Sequence, residues 1–169
     1  THKSYSATNY ETLEFIGDSV IGFIVTKYIY DKWNHSDPGF LTRARTKIVR
    51  GKTLAKIAFD LGLHTFIKMD EKGMNNGWNR NEKIMEDVFE ALVGAIYLDS
   101  GLVPAKAFVI QCLCQNFDWS SISTDDNYKD QLMRYCQTFH ELPEYVTSNK
   151  RIDGGFTSKA IVNGREFPM

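Results

Sequence analysis

The chain has 169 residues, 43% of them hydrophobic and 13% aromatic, with a formal charge of −1 at pH 7. That is ample apolar material for a packed core, in one domain or a domain and a half. No apolar run reaches the roughly 18 residues of a membrane span and no signal peptide is visible, while the net charge alone says nothing about nucleic acid.

In chain order, the first strong element is a helix through Asn9-Tyr10-Glu11-Thr12-Leu13-Glu14-Phe15-Ile16-Gly17-Asp18-Ser19 and onward through the apolar run Val20 to Val25. Within Asn9 to Ser19 only Gly17 is a helix breaker. Glu11, Glu14 and Asp18 are spaced i, i+3, i+7, so their carboxylates share a face. A lone acidic triplet is usually a solvated face. Here Leu13, Phe15, Ile16, Val20, Ile21, Phe23 and Ile24 make the helix apolar on most sides, which predicts burial. Buried carboxylates must be paired, protonated or bound to a metal.

Next come two helices, from about Phe40 to Val49 and from Thr53 to Leu61, the second stopped by Gly62. They carry Arg43, Arg45, Lys47, Arg50, Lys52 and Lys56, with no acidic residue between Phe40 and Phe59. Such a run is either a solvated face or a track for phosphates; beside an acidic cleft the second reading makes physical sense. Residues Asp70 to Asn81 read as a loop, with Gly73, Asn75, Asn76, Gly77, Asn79 and Asn81 as breakers and Trp78 and Arg80 near its end. A second nearly all-apolar helix spans Glu82 to Gly101, with Asp87 and Glu90 on one face and the small Gly94 and Ala95 following. Pro104 suits the first turn of a helix running to about Phe117. Two buried helices with inward carboxylates suggest a hard-cation site, and magnesium takes oxygen ligands.

Trp119 to Asp126 reads as a linker. Tyr128 to Phe139 is helical, with Leu132, Tyr135, Cys136 and Phe139 on its buried side. Strands follow at Glu144 to Asn149 and Phe156 to Val162, joined through Asp153-Gly154-Gly155. Asn163-Gly164 is a hairpin turn signal leading to a third strand from Arg165 to Met169. The cysteines, Cys112, Cys114 and Cys136, are odd in number, and the first two face different ways on a helix, so neither a disulfide nor a zinc pair is expected. Free core thiols point to an intracellular, reducing compartment, cytoplasm or nucleus. His2, His35, His64 and His140 lie in separate contexts and complete no catalytic triad.

The stretch Asn9 to Ser19 resembles the signature of ribonuclease III, the double-stranded-RNA endonucleases, and Asp87-Val88-Phe89-Glu90-Ala91-Leu92 resembles that family's second acidic motif. Thr1-His2-Lys3-Ser4-Tyr5 looks like the end of the helix preceding the signature, and the helix and strands of 127–169 resemble the opening of a double-stranded-RNA-binding domain. The resemblance implies an all-α nuclease domain over residues 1–119, its first helices lying upstream, a linker at 120–126, and a truncated α+β RNA-binding domain over 127–169. It implies a homodimer that cleaves double-stranded RNA with magnesium, manganese substituting, and with neither a membrane nor a small-molecule cofactor. Glu14, Asp18, Asp87 and Glu90 match the family's metal-binding catalytic carboxylates, and Glu11 an additional acidic position near the cleft. Arg43, Arg45, Lys47, Arg50, Lys52 and Arg80 fall where RNA phosphates are approached. Phe15 matches the aromatic residue that inserts into the partner subunit; its alternative is an ordinary core phenylalanine. Two departures stand out. Pro38, with Asp37 beside it, occupies a loop position that is often acidic. Met133 and Arg134 replace the Gln and Glu that usually contact the minor groove. The competing reading is a non-catalytic double-stranded-RNA-binding or scaffolding protein on the same fold.

Overall fold

The computed structural model describes residues 1–4, 6, 9–123, 128–147 and 158–168. The chain divides into two units, Thr1–Trp119 and Ser120–Met169. The first is built from α1 (Glu11–Trp33), α2 (Pro38–Ile48), α3 (Gly51–Asp60), α4 (Glu71–Asn75), α5 (Glu82–Ser100) and α6 (Leu102–Asn116). The second holds α7 (Tyr128–Gln137) and an antiparallel sheet of β1 (Glu144–Thr147), β2 (Ser158–Val162) and β3 (Arg165–Pro168), in the order β1-β2-β3.

Helix boundaries follow local chemistry. Asp37 caps α2 by accepting the Phe40 N–H at 3.0 Å, with Pro38 at the first helical position, so the helix starts two residues before Phe40. Gly62 ends α3 with φ at 73°, and Asn81 caps α5 by accepting the Lys83 and Ile84 N–H groups at 2.9 and 3.3 Å. The expected 70–81 loop contains structure. Asp70 caps the short α4 through the Gly73 N–H at 3.1 Å, and Gly77, at φ 69°, opens a 3₁₀ turn over Trp78–Arg80. Of its helix breakers, Asn75, Asn76, Gly77 and Asn81 lie at element ends, which residue-by-residue propensity does not register.

Helices α1 and α5 form the central pair, with α3 packed on α5. A Cβ on Gly17 would overlap the Glu90 carbonyl oxygen, and one on Gly94 would overlap the Leu13 carbonyl oxygen. The two glycines therefore permit backbone-to-backbone contact where the helices cross. Around that crossing Ile21, Ile24, Val25, Leu54, Ile57, Met85, Phe89, Val93, Val109 and Leu113 make the core. Burial of α1 is one-sided, not general as its composition suggests. Phe15 is 77% exposed, and Phe23 and Tyr30 continue the exposed stripe along the helix. Trp119 belongs to the first unit. Its ring packs near Tyr28, Trp33 and Phe117, with the Lys32 ammonium 4.6 Å from its centre.

In the second unit Tyr145, Ala160 and Phe167 lie opposite one another across the sheet. The Tyr145 hydroxyl donates to the Lys129 carbonyl of α7 at 3.3 Å, and Ala160 and Cys136 are buried. Tyr135 and Phe139, expected on the buried side of α7, are exposed, and α7 stops at Gln137. The turn between β2 and β3 places Asn163 at φ 50° and Gly164 at φ 74°, the left-handed pair that Asn-Gly favours. The expected Asp153-Gly154-Gly155 connection and the outer ends of the first two strands lie outside the described residues. Of the cysteines, Cys112 and Cys136 are buried but Cys114 is exposed, so only two are core thiols; all are free. Among the described residues no helix is long and apolar enough to cross a membrane.

Candidate metal centre

An open cleft of about 900 Å³ runs beside the α1–α5 crossing. Glu11, Glu14, Phe15 and Asp18 enter it from α1, and Lys83, Glu86, Asp87 and Glu90 from α5. The i, i+3 spacing within each helix puts these side chains on facing sides, and the glycine contact brings the two sides together. One carboxylate oxygen each of Glu14, Asp87 and Glu90 lies within 4.8 Å of the others. Asp18 stands outside that triad but close enough to act on Glu90 electrostatically. Glu11 is at the exposed rim, its carboxylate 3.4 Å from the Lys3 ammonium.

The electrostatics are those of crowded negative charge leaving water. Glu90 is only 6% exposed, and burial, then the charges of Asp18 and Glu86, push its carboxyl up to about 8. Burial, then Asp87, raises Glu14 as well, while Lys83 opposes both shifts. Tyr10, buried beside Asp87 and Glu14, has its phenol raised by burial and then by those carboxylates. Lys83 is held charged above the ordinary lysine range, first by Asp87 and despite some desolvation. Its ammonium lies 2.8 Å from Asp87 Oδ1 and 3.2 Å from Glu86 Oε2. Even so, Asp87 Oδ1 is buried without a well-directed hydrogen bond. Oxygen donors from several carboxylates, one of them orphaned and one neutralised by its surroundings, fit a hard divalent cation.

The other candidate residues distribute differently. Arg43, Arg45, Arg50 and Lys52 are exposed and Lys47 is half-buried on α2, α3 and their junction; none lines the cleft. Lys56 pairs with Asp60 at 2.6 Å, so the basic run is not free of acidic neighbours. Arg80 is exposed with its guanidinium 5.7 Å from the Phe59 ring, which stacks on His64 at 4.5 Å. Phe15 is not a core residue. Asp37 is used in capping and does not line the cleft. Sequence reasoning passed over Lys83, Glu86, Tyr10 and Trp78, all of which line the cleft. Lys83 and Glu86 could have been found from their i, i+4 spacing, Lys83 to Asp87 and Glu86 to Glu90. Trp78 carries no local signal.

A helical core whose two central helices cross through glycines, with acidic side chains converging at the crossing, defines an all-helical domain with a carboxylate-rich cleft. The sequence profile of the Ribonuclease-III-like family matches residues 1–117. The chain is 37% identical to Ribonuclease 3 of Francisella tularensis over 157 residues, 91% of this chain and 66% of that protein. It is 37% identical to a protein named Probable ribonuclease 3 from Acanthamoeba polyphaga mimivirus over 146 residues, 83% of this chain and 26% of that one. It is 44% identical to protein A464R of Paramecium bursaria Chlorella virus 1 over 161 residues, 94% of this chain and 58% of that one. Among solved structures, the nuclease domain of ribonuclease III from Campylobacter jejuni superimposes with a TM-score of 0.67 at 38% identity, covering 69% of this chain and 82% of that one. That structure is described for flexibility in a region involved in dimer formation. The chain belongs to the ribonuclease-III-like nuclease family. It spans less than two thirds of the length of each full-length relative named above.

Proposed function

We propose that this chain is the nuclease-bearing part of a divalent-metal-dependent endoribonuclease that hydrolyses double-stranded RNA, leaving 5′-phosphate and 3′-hydroxyl ends. The observation that carries this reading is the meeting of Glu14, Asp87 and Glu90, from two helices, with oxygens within 4.8 Å. Those three, with Asp18 adding charge beside Glu90, would hold the metal, most simply Mg²⁺ with Mn²⁺ able to replace it. Bound there, the ion would supply an activated water and positive charge for the phosphate oxygens.

The chain's own groups do the rest. Burial, then the charges of Asp18 and Glu86, push the Glu90 carboxyl up to about 8, and a cation held there would favour its ionised form. Glu11, at the rim beside Lys3, adds negative charge at the mouth of the site. Arg43, Arg45, Lys47, Arg50 and Lys52 on the neighbouring helices, with Arg80, would position the RNA backbone. The exposed Phe15 would cross into a second copy, because a large aromatic left in water beside the cleft is a natural interface anchor. The helix and three-stranded sheet of the second unit support its reading as part of a double-stranded-RNA-binding domain.

The test is incubation with long duplex RNA, with and without Mg²⁺, with products sized and their ends identified. Metal-dependent shortening with 5′-phosphate ends is expected; intact duplex at saturating metal rules the reading out. For the dimer, sedimentation of the wild type should show two subunits at micromolar concentration. Phe15→Ala should raise the dissociation constant by about tenfold or more, the effect of a central aromatic anchor.

A further inference from the structure

Lys83 touches two carboxylates of unlike kind. Asp87 belongs to the triad whose oxygens converge within 4.8 Å, whereas Glu86 does not. The Glu86 carboxylate lies against the start of α3. A Cβ on Gly51 would sit 2.7 Å from Glu86 Oε2 and 2.8 Å from Oε1. Gly51 is the first residue of α3, which has no side-chain N-cap, and the positive end of the helix dipole there favours a negative charge. Glu86 thus lies against a neighbouring helix, at the edge of the cleft and outside the metal triad. Its side chain is 21% exposed, against 65% for Lys83, so the lysine has the more room to change partner.

Resting on the functional reading above, we infer that Glu86 is a positioning residue that receives the Lys83 ammonium when a divalent cation takes Asp87. In the metal-free cleft Lys83 partly neutralises Asp87 and so competes with a cation for it. A dication beside Asp87 repels the ammonium, which must find another negative partner or return to water. Glu86, already 3.2 Å away and lying against Gly51, is that partner. The exchange needs only a side-chain swing between two neighbouring carboxylates, with no movement of α5.

The experiment is a double-mutant cycle read by Mn²⁺ binding, followed by paramagnetic resonance or calorimetry and without RNA, with thermal melts confirming the fold of each variant. Glu86→Gln should weaken Mn²⁺ binding about two- to fivefold, the range of a partly exposed ion pair. Lys83→Met should tighten binding by removing the competitor. Most of the Glu86→Gln loss should vanish in the Lys83→Met background, because no ammonium remains to be received. Equal loss in both backgrounds would mean that Glu86 acts on the metal directly, and overturns the inference, as does an unchanged affinity in Glu86→Gln alone. Wild-type binding that is indifferent to Glu90→Gln overturns the metal centre itself, which separates failure of the functional reading from failure of this one.

Discussion

The acidic cleft and the basic helices differ in how they hold charge. In the cleft, carboxylates from α1 and α5 are forced together at a crossing where neither helix can carry a side chain, and Glu90 is almost wholly out of water. On α2 and α3, Arg43, Arg45, Arg50 and Lys52 stand in solvent. Charge in a low-dielectric setting acts strongly and locally, whereas exposed charge is screened over about 8–10 Å and acts by number. Single changes in the cleft should therefore be decisive, and single changes on the basic helices nearly silent.

The sharpest way to break this contrast is Glu90→Gln. It removes a buried negative ligand while easing repulsion of phosphate, so turnover should fall about 100-fold or more while duplex binding persists. Near-normal turnover at saturating magnesium would place Glu90 outside the chemistry.

Gly94→Ala attacks the geometry instead of the charge. Its new Cβ would meet the Leu13 carbonyl, so the helices must part, at a cost of about 1–3 kcal/mol in denaturant unfolding. Metal affinity should fall with it, since Glu14 and Asp87 sit on opposite sides of the crossing. A variant as stable as wild type would show that the helices are not held by this close approach.

The pH dependence of the metal-free protein tests the desolvation directly. The folded Glu90 carboxyl is raised to about 8 from an ordinary value of 4.5, so the folded state binds the extra proton between those limits. Its contribution is fully present below about pH 4.5 and is lost as pH rises through about 8. The metal-free protein should thus lose melting temperature, relative to Glu90→Gln, across that window, and added Mg²⁺ should offset the loss. A flat difference between the two proteins would mean that Glu90 is ionised throughout.

The smallest effects per residue are expected on the basic helices. Reversing Arg43, Lys47 and Arg50 together should weaken duplex binding and lower the salt slope of log affinity by about 0.7–0.9 for each phosphate that is no longer neutralised. Removing residues 127–169 should do much less if the first unit stays folded. The opposite result would move the phosphate track to the second unit.

Much of the architecture could be read locally. The Gly62 stop and the Asn163-Gly164 turn are signals carried by one or two residues, and each acts in the structure as its chemistry predicts. Loop 70–81 could not be read so well, because a five-residue helix and a 3₁₀ turn depend on caps more than on propensity. On α7, stopping at Gln137 left Phe139 outside the helix, and helical phase alone did not reveal which aromatics the sheet would leave exposed.

By itself the sequence determined that Glu14 and Asp18, and Asp87 and Glu90, each share a helix face, since helical periodicity is a property of neighbours along the chain. Only the tertiary structure decided which of them meet. It joined Glu14 to Asp87 and Glu90 and left Asp18 to one side. It also turned Phe15 to solvent and set Glu86 between Lys83 and Gly51. The physical reason is the crossing. Two missing side chains, Gly17 and Gly94, set how closely α1 and α5 approach, and segments so far apart in sequence carry no local record of their meeting.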